Sequence, residues 1–365
     1  MKLDKKLITD QSDLQKVCEA AALEPAIGID TEFLREKTYY AKLCLVQIAV
    51  GDQAYCIDVL ALDDLSALAD ILTNTGVVKV FHSCRQDFEV IYQQLGCLPT
   101  PVFDTQLAAA FCGNDAQVGY ANILQQEYGV ELDKSQTRTD WSRRPLKAQQ
   151  IDYAVNDVVY LVQLYKDFQK RLQENGRLDW FNEETQQFYA IEDYAADPDL
   201  AYQRLNGSSL LPANQHFLSS LAAWRDQLAQ KKNIPRTWIL KDKELYELAD
   251  LMPQSEAVLQ RSKLNSIPFM RKNSQQIVQR AVEFASKDNL RRIWQIYQPF
   301  DAEQKSICQS LMKQVSSFAQ QHSVAQAVLA TRKDVEAFVR DVNSSRISQG
   351  WRGQLLMPSL ASLLE

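Results

Sequence analysis

Segments with the character of β-strands are concentrated in the first part of this 365-residue chain, and beyond Gly176 helical periodicity takes over. Three closely spaced apolar runs indicate an antiparallel meander, and they cover residues 27–33, 42–50 and 54–58. A helix, a fourth strand at residues 77–81 and a helix ended by Gly96 follow. This βββαβα order predicts an α/β domain, and the rest of the chain predicts an all-α region.

The length of the chain and its internal breaks indicate more than one domain. Asp197-Pro198 and the run from Asn206 to Pro212 have the composition of a linker, and a second break lies near residue 300. We therefore predict three domains, at residues 1–205, 211–293 and 300–365. The sequence has no strict repeat, yet the two helical segments leave a duplicated helical fold open.

The composition excludes several classes of protein. With 46% hydrophobic and 24% charged residues, the chain has the balance of a globular protein. It shows no signal-peptide pattern and no apolar run of membrane-spanning length, so we expect a cytoplasmic protein without a membrane partner. Seven cysteines without a CxxC pair, and only three histidines, indicate reduced thiols and argue against a zinc site.

Charge is distributed unevenly along the sequence. The net charge is −6, but residues 231–292 contain thirteen Lys/Arg against seven Asp/Glu, a local balance of +6. A basic helical module beside an acidic catalytic one suits a protein that holds nucleic acid with one part and cuts it with another. On charge alone, a solvated basic surface explains the balance equally well.

Two carboxylate motifs have the spacing of different secondary structures. Asp30 and Glu32 are two apart in a predicted strand, so their side chains project from the same face. Tyr153 and Asp157 are four apart in a predicted helix, so they lie one turn apart. Grouped carboxylates repel one another unless a cation lies between them, and hard oxygen ligands suit Mg²⁺ or Mn²⁺. The pattern therefore predicts a metal site that acts on phosphate.

A further carboxylate, Asp87, begins the helix after the fourth predicted strand, where it can approach Asp30. Together the residues suit two divalent metal ions and an in-line displacement at phosphorus. We expect Asp30 to bridge the two ions, Glu32 and Asp157 to complete the site beside the attacking water, and Asp87 to act near the second ion. Tyr153 is a poor base, so its expected task is to orient that water.

Three segments resemble the exonuclease motifs of the DEDD superfamily, in its tyrosine-bearing branch. They are Ile29-Asp-Thr-Glu-Phe33, the segment from Val80 to Asp87, and the segment from Tyr153 to Asp157. More closely, residues 139–146 followed by the third motif are similar to the bacterial ribonuclease D family. Leu221-Ala-Ala-Trp-Arg225, Asn233-Ile-Pro235 and Ile239-Leu-Lys-Asp242 resemble an HRDC domain, a helical nucleic-acid-binding module. The C-terminal residues are also similar to the end of ribonuclease D chains.

The resemblance implies a fold, an activity and partners. It implies a ribonuclease-H-like (DnaQ-like) α/β exonuclease domain with a mixed sheet, followed by all-α HRDC-type domains at residues 211–293 and 300–365. The implied activity is that of a 3′→5′ exoribonuclease that releases nucleoside 5′-monophosphates with two Mg²⁺ or Mn²⁺ ions. The implied substrates are structured RNAs, in particular tRNA precursors at their 3′ ends, and no obligate protein partner is implied.

Five further residues are candidates for contact with the substrate, and each has a structural alternative. Phe33 and Leu34 follow the first motif and are able to stack on a terminal base or to lie buried in the sheet. His82 could contact a phosphate, or it could lie at a strand end with its ring nitrogens hydrogen-bonded within the protein. Trp141 and Arg144 suit the entry path of the nucleic acid, or a loop held against the core.

Two other functions remain open from the residues alone. The carboxylates bind metal and phosphate rather than sugar, so a DNA 3′→5′ exonuclease of the same superfamily has the same signature. A catalytically inert adaptor that binds nucleic acid through its helical modules is the other alternative. The intact set of acidic residues argues against the adaptor.

Overall fold

The computed structural model describes residues 5–133, 136, 139–296 and 298–360. The described residues form two compact units. The first contains the chain up to Leu34, Lys42–Tyr194 and the residues from Phe300 onward, and the second contains Arg35–Ala41 and Ala195–Pro299. The outermost residues of the first and third predicted domains, 1–4 and 361–365, lie outside the described residues. The domain boundaries themselves stay predictions.

A six-stranded mixed sheet forms the centre of the first unit. Its order is β1-β4-β3-β2-β5-β6, with β2, β3 and β4 antiparallel and the pairs β1–β4, β2–β5 and β5–β6 parallel. The strands are β1 Lys5–Ile8, β2 Ala26–Leu34, β3 Lys42–Val50, β4 Gln53–Ile57, β5 Val78–Phe81 and β6 Val102–Asp104. The predicted α/β fold with a mixed sheet is confirmed, and β1 and β6 are additions to it.

Helices cover both faces of this sheet, which explains why β3 is buried along almost its whole length. The helices of this part are α1 Gln11–Ala21, α2 Ser66–Thr73, α3 Arg85–Leu95, α4 Thr105–Phe111, α5 Tyr120–Tyr128, α6 Ala148–Asn156, α7 Leu161–Glu174 and α8 Leu178–Thr185. α6 and α7 pack on the face from which Gly28 projects. Thr31 projects from the opposite face, because side chains alternate along a strand.

The helical periodicity of the sequence predicts a single long helix from about Ala148 into Leu172, but the structure has two helices there, α6 and α7. The chain leaves helical geometry between α6 and α7, where the N–H of Val158 donates to Val155 O and the N–H of Leu161 donates to Val158 O. The Val158 carbonyl lies so close to β2 that a Cβ added at Gly28 would be 2.9 Å from its oxygen. Docking against the sheet therefore ends α6 at a point without proline or glycine.

The second unit is helical and has its own core. Its helices are α9 Pro212–Lys232, α10 Arg236–Ile239, α11 Asp242–Leu251, α12 Glu256–Arg261, α13 Pro268–Lys272 and α14 Ser274–Ala285. Trp224 lies in this core with Phe217 and Leu221, as its helical spacing predicts. The buried guanidinium of Arg225 donates to Leu240 O at 3.0 Å and to Asp242 Oδ1 at 2.6 Å, which fixes the turn before α11.

The C-terminal helices follow the same element pattern as the start of the second unit. They are α15 Ala302–Gln321, α16 Gln326–Leu329, α17 Arg332–Arg340 and α18 Gly350–Leu360. Asn233 and Ser323, 90 positions apart, both have positive φ after a long helix, and a four-residue helix follows each. The repeated pattern supports the predicted second HRDC-like fold, which stays a prediction. None of the helices in the described part of the chain is long and apolar enough to cross a bilayer.

Candidate active site

Three of the predicted acidic residues come together at the sheet. Asp30 and Glu32 project from β2, and Asp157 follows directly after the last residue of α6. One carboxylate oxygen from each lies within 4.8 Å of those of the other two, so a single cation could contact all three. The break between α6 and α7 brings Asp157 to this position, because it directs the end of α6 toward β2.

Asp87 lies beside this cluster rather than within it. It is buried in the first turn of α3, where its Oδ1 accepts a hydrogen bond from Thr31 Oγ1 at 2.5 Å. Thr31 stands between Asp30 and Glu32 in the sequence, so its side chain projects from the opposite face of β2. One face of β2 therefore carries Asp30 and Glu32, and the other binds Asp87 through Thr31. Burial is the main cause of the raised pKa of Asp30, and the charge of Asp87 adds to it.

The turn before α3 is fixed by Asp104, the residue that caps α4. Its carboxylate accepts hydrogen bonds from the N–H groups of Ser83 and Cys84 at 3.2 and 2.8 Å. The same carboxylate accepts from Gln106 N and Leu107 N in the first turn of α4, so it also caps that helix. Because Ser83 has a φ of 65°, these bonds stabilise a conformation that serine rarely adopts. Asp104 thereby fixes the start of α3 and the position of Asp87 in its first turn.

Tyr153 lies one turn before Asp157, as predicted, and its side chain hydrogen-bonds that carboxylate. The indole of Trp141 packs against the ring of Tyr153, with centroids 6.1 Å apart. Trp141 is only 2% exposed, so it supports the ring of Tyr153 from the protein interior. A cavity of about 240 Å³ adjoins the pair, and its lining includes Tyr120, Asn122, Tyr153 and Asp157.

Burial of the carboxyl groups raises the pKa of each acidic residue. Burial, together with the charges of Asp87, Asp157 and Glu32, raises the pKa of Asp30 well above its ordinary value. Burial and the charges of Asp157 and Asp87 raise the pKa of Glu32 to about 9. Burial raises the pKa of Asp157 to about 7 against the hydrogen bond from Tyr153, and that of Asp87 to about 7 against the one from Thr31. Without a cation, the cluster therefore retains protons near neutral pH.

The five candidates for substrate contact have different surroundings. Phe33 and Leu34 are partly exposed at the end of β2, beside Glu32. Both ring nitrogens of His82 are within hydrogen-bond distance of protein groups, Thr105 Oγ1 at 2.9 Å and Val118 O at 3.0 Å. Trp141 is buried behind Tyr153. A role in substrate contact stays a prediction for all five residues.

Arg144 is held within the protein. Its guanidinium forms a two-point pair with the buried carboxylate of Asp58, at 2.5 and 2.6 Å, and it also donates to the carbonyls of Trp141, Arg143 and Cys44. These contacts tie the loop before α6 to β3 and to the end of β4. These contacts support the alternative in which Arg144 holds its loop against the core.

Two residues that shape the site were missed in the sequence. Gly28 allows the close approach of Val158, and Thr31 binds Asp87. A glycine inside a strand is a known signal of close backbone approach, so Gly28 could have been found. Thr31 could not, because its partner lies 56 residues away.

Comparisons with known proteins agree with this geometry. Residues 6–173 match the family model of a 3′-5′ exonuclease, and residues 214–279 match that of the HRDC domain. A mixed sheet, an acidic cluster at its central strand β2 and a helical HRDC domain define the class as a DEDD-superfamily 3′–5′ exonuclease with an HRDC domain.

Whole-chain relatives identify the family. The chain is 36% identical to ribonuclease D of Nitrobacter hamburgensis over 355 residues, which cover 96% of this chain and 92% of the relative. It is 32% identical to ribonuclease D of Bartonella henselae over 365 residues, 99% of this chain and 90% of the relative. The structure of Escherichia coli RNase D, an exoribonuclease involved in structured RNA processing, matches with a TM-score of 0.87 and 27% identity over 100% of this chain and 99% of that chain. The chain belongs to the ribonuclease D family and is an exoribonuclease. The DEDD exonucleases depend on divalent metal ions, and the acidic cluster fits such an ion.

Proposed function

We propose that this chain hydrolyses phosphodiester bonds one at a time from the 3′ end of RNA and releases nucleoside 5′-monophosphates. The observation that carries the proposal is the convergence of Asp30, Glu32 and Asp157 within 4.8 Å, with Tyr153 one turn from Asp157. An arrangement of half-buried carboxylates is costly unless it serves a cation. The cavity beside Tyr153 and Asp157 offers room for part of a terminal nucleotide.

The proposed cofactor is a pair of divalent ions, Mg²⁺ or Mn²⁺. Asp30, Glu32 and Asp157 would hold one ion, and Asp30 with Asp87 would serve the second. When bound, such ions supply the acidity that activates a water molecule and stabilise negative charge at phosphorus and on the leaving oxygen. The donor set consists of carboxylate oxygens, which these hard cations prefer.

The residues of the chain divide the remaining tasks. Tyr153 hydrogen-bonds Asp157 and is held from behind by Trp141, so its hydroxyl has a fixed position from which to orient the attacking water. Thr31 holds Asp87 in place by donating to its carboxylate. Phe33 and Leu34, which are partly exposed beside Glu32, would contact the terminal base.

The proposed substrates are structured RNAs, with the 3′ ends of tRNA precursors foremost, and the proposed location is the cytoplasm. The E. coli relative is involved in structured RNA processing, which supports this choice. The basic segment at residues 231–292, within which most of the HRDC match falls, would bind RNA phosphates in a salt-dependent manner. No obligate protein partner is proposed.

The decisive experiment compares Asp30→Asn and Asp157→Asn with the unaltered chain on RNA labelled at its 3′ or 5′ end, with Mg²⁺. Each variant should lose activity by about 100-fold or more, because transition-state stabilisation of several kcal/mol depends on the cation. Asp152→Asn removes a carboxylate from the same helix, outside the cluster, and should retain activity. Undiminished trimming by the Asp30 variant, insensitive to EDTA, would refute the proposal.

The same assay separates the two alternative functions. A matched DNA oligonucleotide degraded as fast as the RNA would favour a DNA exonuclease, since the carboxylates do not contact the 2′-hydroxyl. Binding of tRNA precursors without release of mononucleotides, in Mg²⁺ or Mn²⁺, would favour the inert adaptor.

A further inference from the structure

A glutamine is buried beside the acidic cluster in a position that otherwise suits an apolar side chain. Gln47 lies on β3 and is 0% exposed. Neither its amide nitrogen Nε2 nor its oxygen Oε1 has a hydrogen-bond partner in the part of the chain that the structure describes. Buried amides are ordinarily hydrogen-bonded, because burial removes their contacts with water. Packing alone does not explain an amide here.

The register of the sheet places Gln47 directly opposite Asp30. β2 and β3 are antiparallel, and their ladder pairs Asp30 with Gln47 and Gly28 with Ala49. Directly opposed residues project from the same face of a sheet, with Cβ atoms roughly 4.5–5.5 Å apart. A glutamine side chain can span this separation, so the amide is within reach of the Asp30 carboxylate.

The residues that flank Gln47 along β3, and the one opposite it on β4, are apolar or weakly polar. Leu45 and Ala49 flank it along β3, and Cys56 lies opposite it on β4, all of them buried. Helix α6 packs over β3 and β4 and closes this face of the sheet. Among these cross-strand and same-strand neighbours, Asp30 is the group whose chemistry matches an amide N–H donor.

We propose that Gln47 is a positioning residue, which donates a hydrogen bond from Nε2 to the carboxylate of Asp30 when the acidic cluster holds a divalent cation. A ligating carboxylate keeps lone pairs that do not face the cation, and a donor placed on them fixes its orientation. The inference rests on the function proposed above and adds the residue that orients the expected bridging carboxylate. It also accounts for an amide among the apolar side chains of β3 and β4.

The test is Mn²⁺ affinity, measured by calorimetry on the full chain without RNA. Gln47→Met keeps the length of the side chain but removes the donor, and Gln47→Leu is a second variant of similar volume. Both should bind Mn²⁺ about 10–100-fold more weakly, the usual effect of losing a partner of a metal ligand. In RNA trimming, kcat should fall while KM for RNA stays close to that of the unaltered chain. Ile48→Met is the matched control, because Ile48 is buried on the opposite face of the same strand.

The outcomes separate the inference from the function on which it rests. Equal Mn²⁺ affinity in the unaltered chain and the folded Gln47 variants would overturn the role of Gln47, whatever the RNA assay shows. An equal loss of Mn²⁺ affinity in Ile48→Met would overturn this role too, because it would indicate a general effect of repacking β3. If the unaltered chain binds Mn²⁺ yet leaves RNA intact, the proposed function fails, and the affinity comparison still decides the role of Gln47.

Discussion

Keeping the carboxyl groups of the acidic cluster ionised is unfavourable in the folded chain, and a bound cation would remove this cost. Glu32 has an ordinary pKa of 4.5, and burial with the charges of Asp157 and Asp87 raises it to about 9. Burial raises the pKa of Asp157 from 3.8 to about 7. In each case partial removal from water favours the protonated form in the folded chain, and for Glu32 the neighbouring negative charges add to this effect. A divalent ion would replace these protons, so metal binding should release protons at neutral pH.

The raised pKa values predict a stability profile for the metal-free chain. Between pH 4 and pH 9 the folded state binds more protons than the unfolded state, so the free energy of unfolding should fall as the pH rises. The stabilising contribution is fully present below about pH 4, the ordinary pKa range of these groups. Thermal unfolding in EDTA should therefore show a midpoint that decreases from about pH 5 to about pH 9.

Glu32→Gln provides the control for this profile, because an amide does not titrate. The variant should have a shallower decrease of the unfolding midpoint with pH, and saturating Mn²⁺ should flatten the profile of the unaltered chain. A slope that is the same in Glu32→Gln and in the unaltered chain would show that the cluster is not its source.

Strand and helix periods are local properties, so the spacing within each motif was sufficient to predict that its residues share a face. The meeting of the two motifs depends on tertiary structure. Asp30, Glu32 and Asp157 converge within 4.8 Å. The residues that hold them could not be predicted in the same way. Thr31 and Gln47 owe their roles to partners that are distant in the sequence, and only the register of the sheet reveals these partners.

At the scale of elements, the end of α6 is the feature that completes the site. The sequence between α6 and α7, Asp-Val-Val-Tyr, contains no helix-breaking residue, and helical periodicity continues through it. The break arises where the Val158 carbonyl docks on β2, and this tertiary contact is not visible in local sequence. The short strands β1 and β6 were missed for a related reason, because they gain their stability from pairing with β4 and β5.

Gly28→Ala tests the importance of this docking. The new Cβ would lie 2.9 Å from Val158 O, 3.1 Å from Leu161 Cβ and 3.3 Å from Ala49 Cβ, and a backbone oxygen cannot rotate away. We expect a loss of stability of about 1–3 kcal/mol from overpacking. We also expect at least a tenfold fall in kcat, on the order of the effect of misplacing a catalytic group by 1 Å. Denaturant unfolding and RNA trimming measure the two effects.

Gly76→Ala is the control for general glycine effects. Gly76 has ordinary φ, and the nearest atom to its added Cβ is the side-chain oxygen of Asn74 at 3.2 Å, which can move. This variant should retain kcat. Equal kcat for Gly28→Ala and the unaltered chain would show that the approach of α7 to β2 does not set the position of Asp157.

At the scale of the whole molecule, the C-terminal helices and the nuclease sheet belong to one compact unit. Leu311, Phe338 and Trp351 lie in the same hydrophobic core as Phe111 and Phe181. The breaks and the helical periodicity of the sequence predict a third domain at residues 300–365, and that boundary stays a prediction. Breaks in sequence mark where a segment begins, but they do not show which surface the segment covers.

Individual contacts show how the C-terminal residues attach. The indole of Trp351 stacks on that of Trp180 with centroids 4.8 Å apart and lies 5.4 Å from the ring of Phe111. The backbone N–H of Trp351 donates to Glu183 Oε1 at 3.1 Å. The N–H of Ala325 donates to Ala110 O at 2.8 Å. Apolar packing and backbone hydrogen bonds thus act together at this contact.

Trp351→Ala should therefore destabilise the nuclease sheet itself. The residue is 2% exposed, and removal of such a side chain costs about 3–5 kcal/mol. Trp238→Ala, at a tryptophan that is 60% exposed, is the control and should change the free energy of unfolding by less than about 0.5 kcal/mol. Denaturant unfolding that is monitored by RNA trimming activity reports on the sheet. If activity in Trp351→Ala survives to the same denaturant concentration as in the unaltered chain while helix content is lost earlier, the C-terminal helices form an independent domain instead.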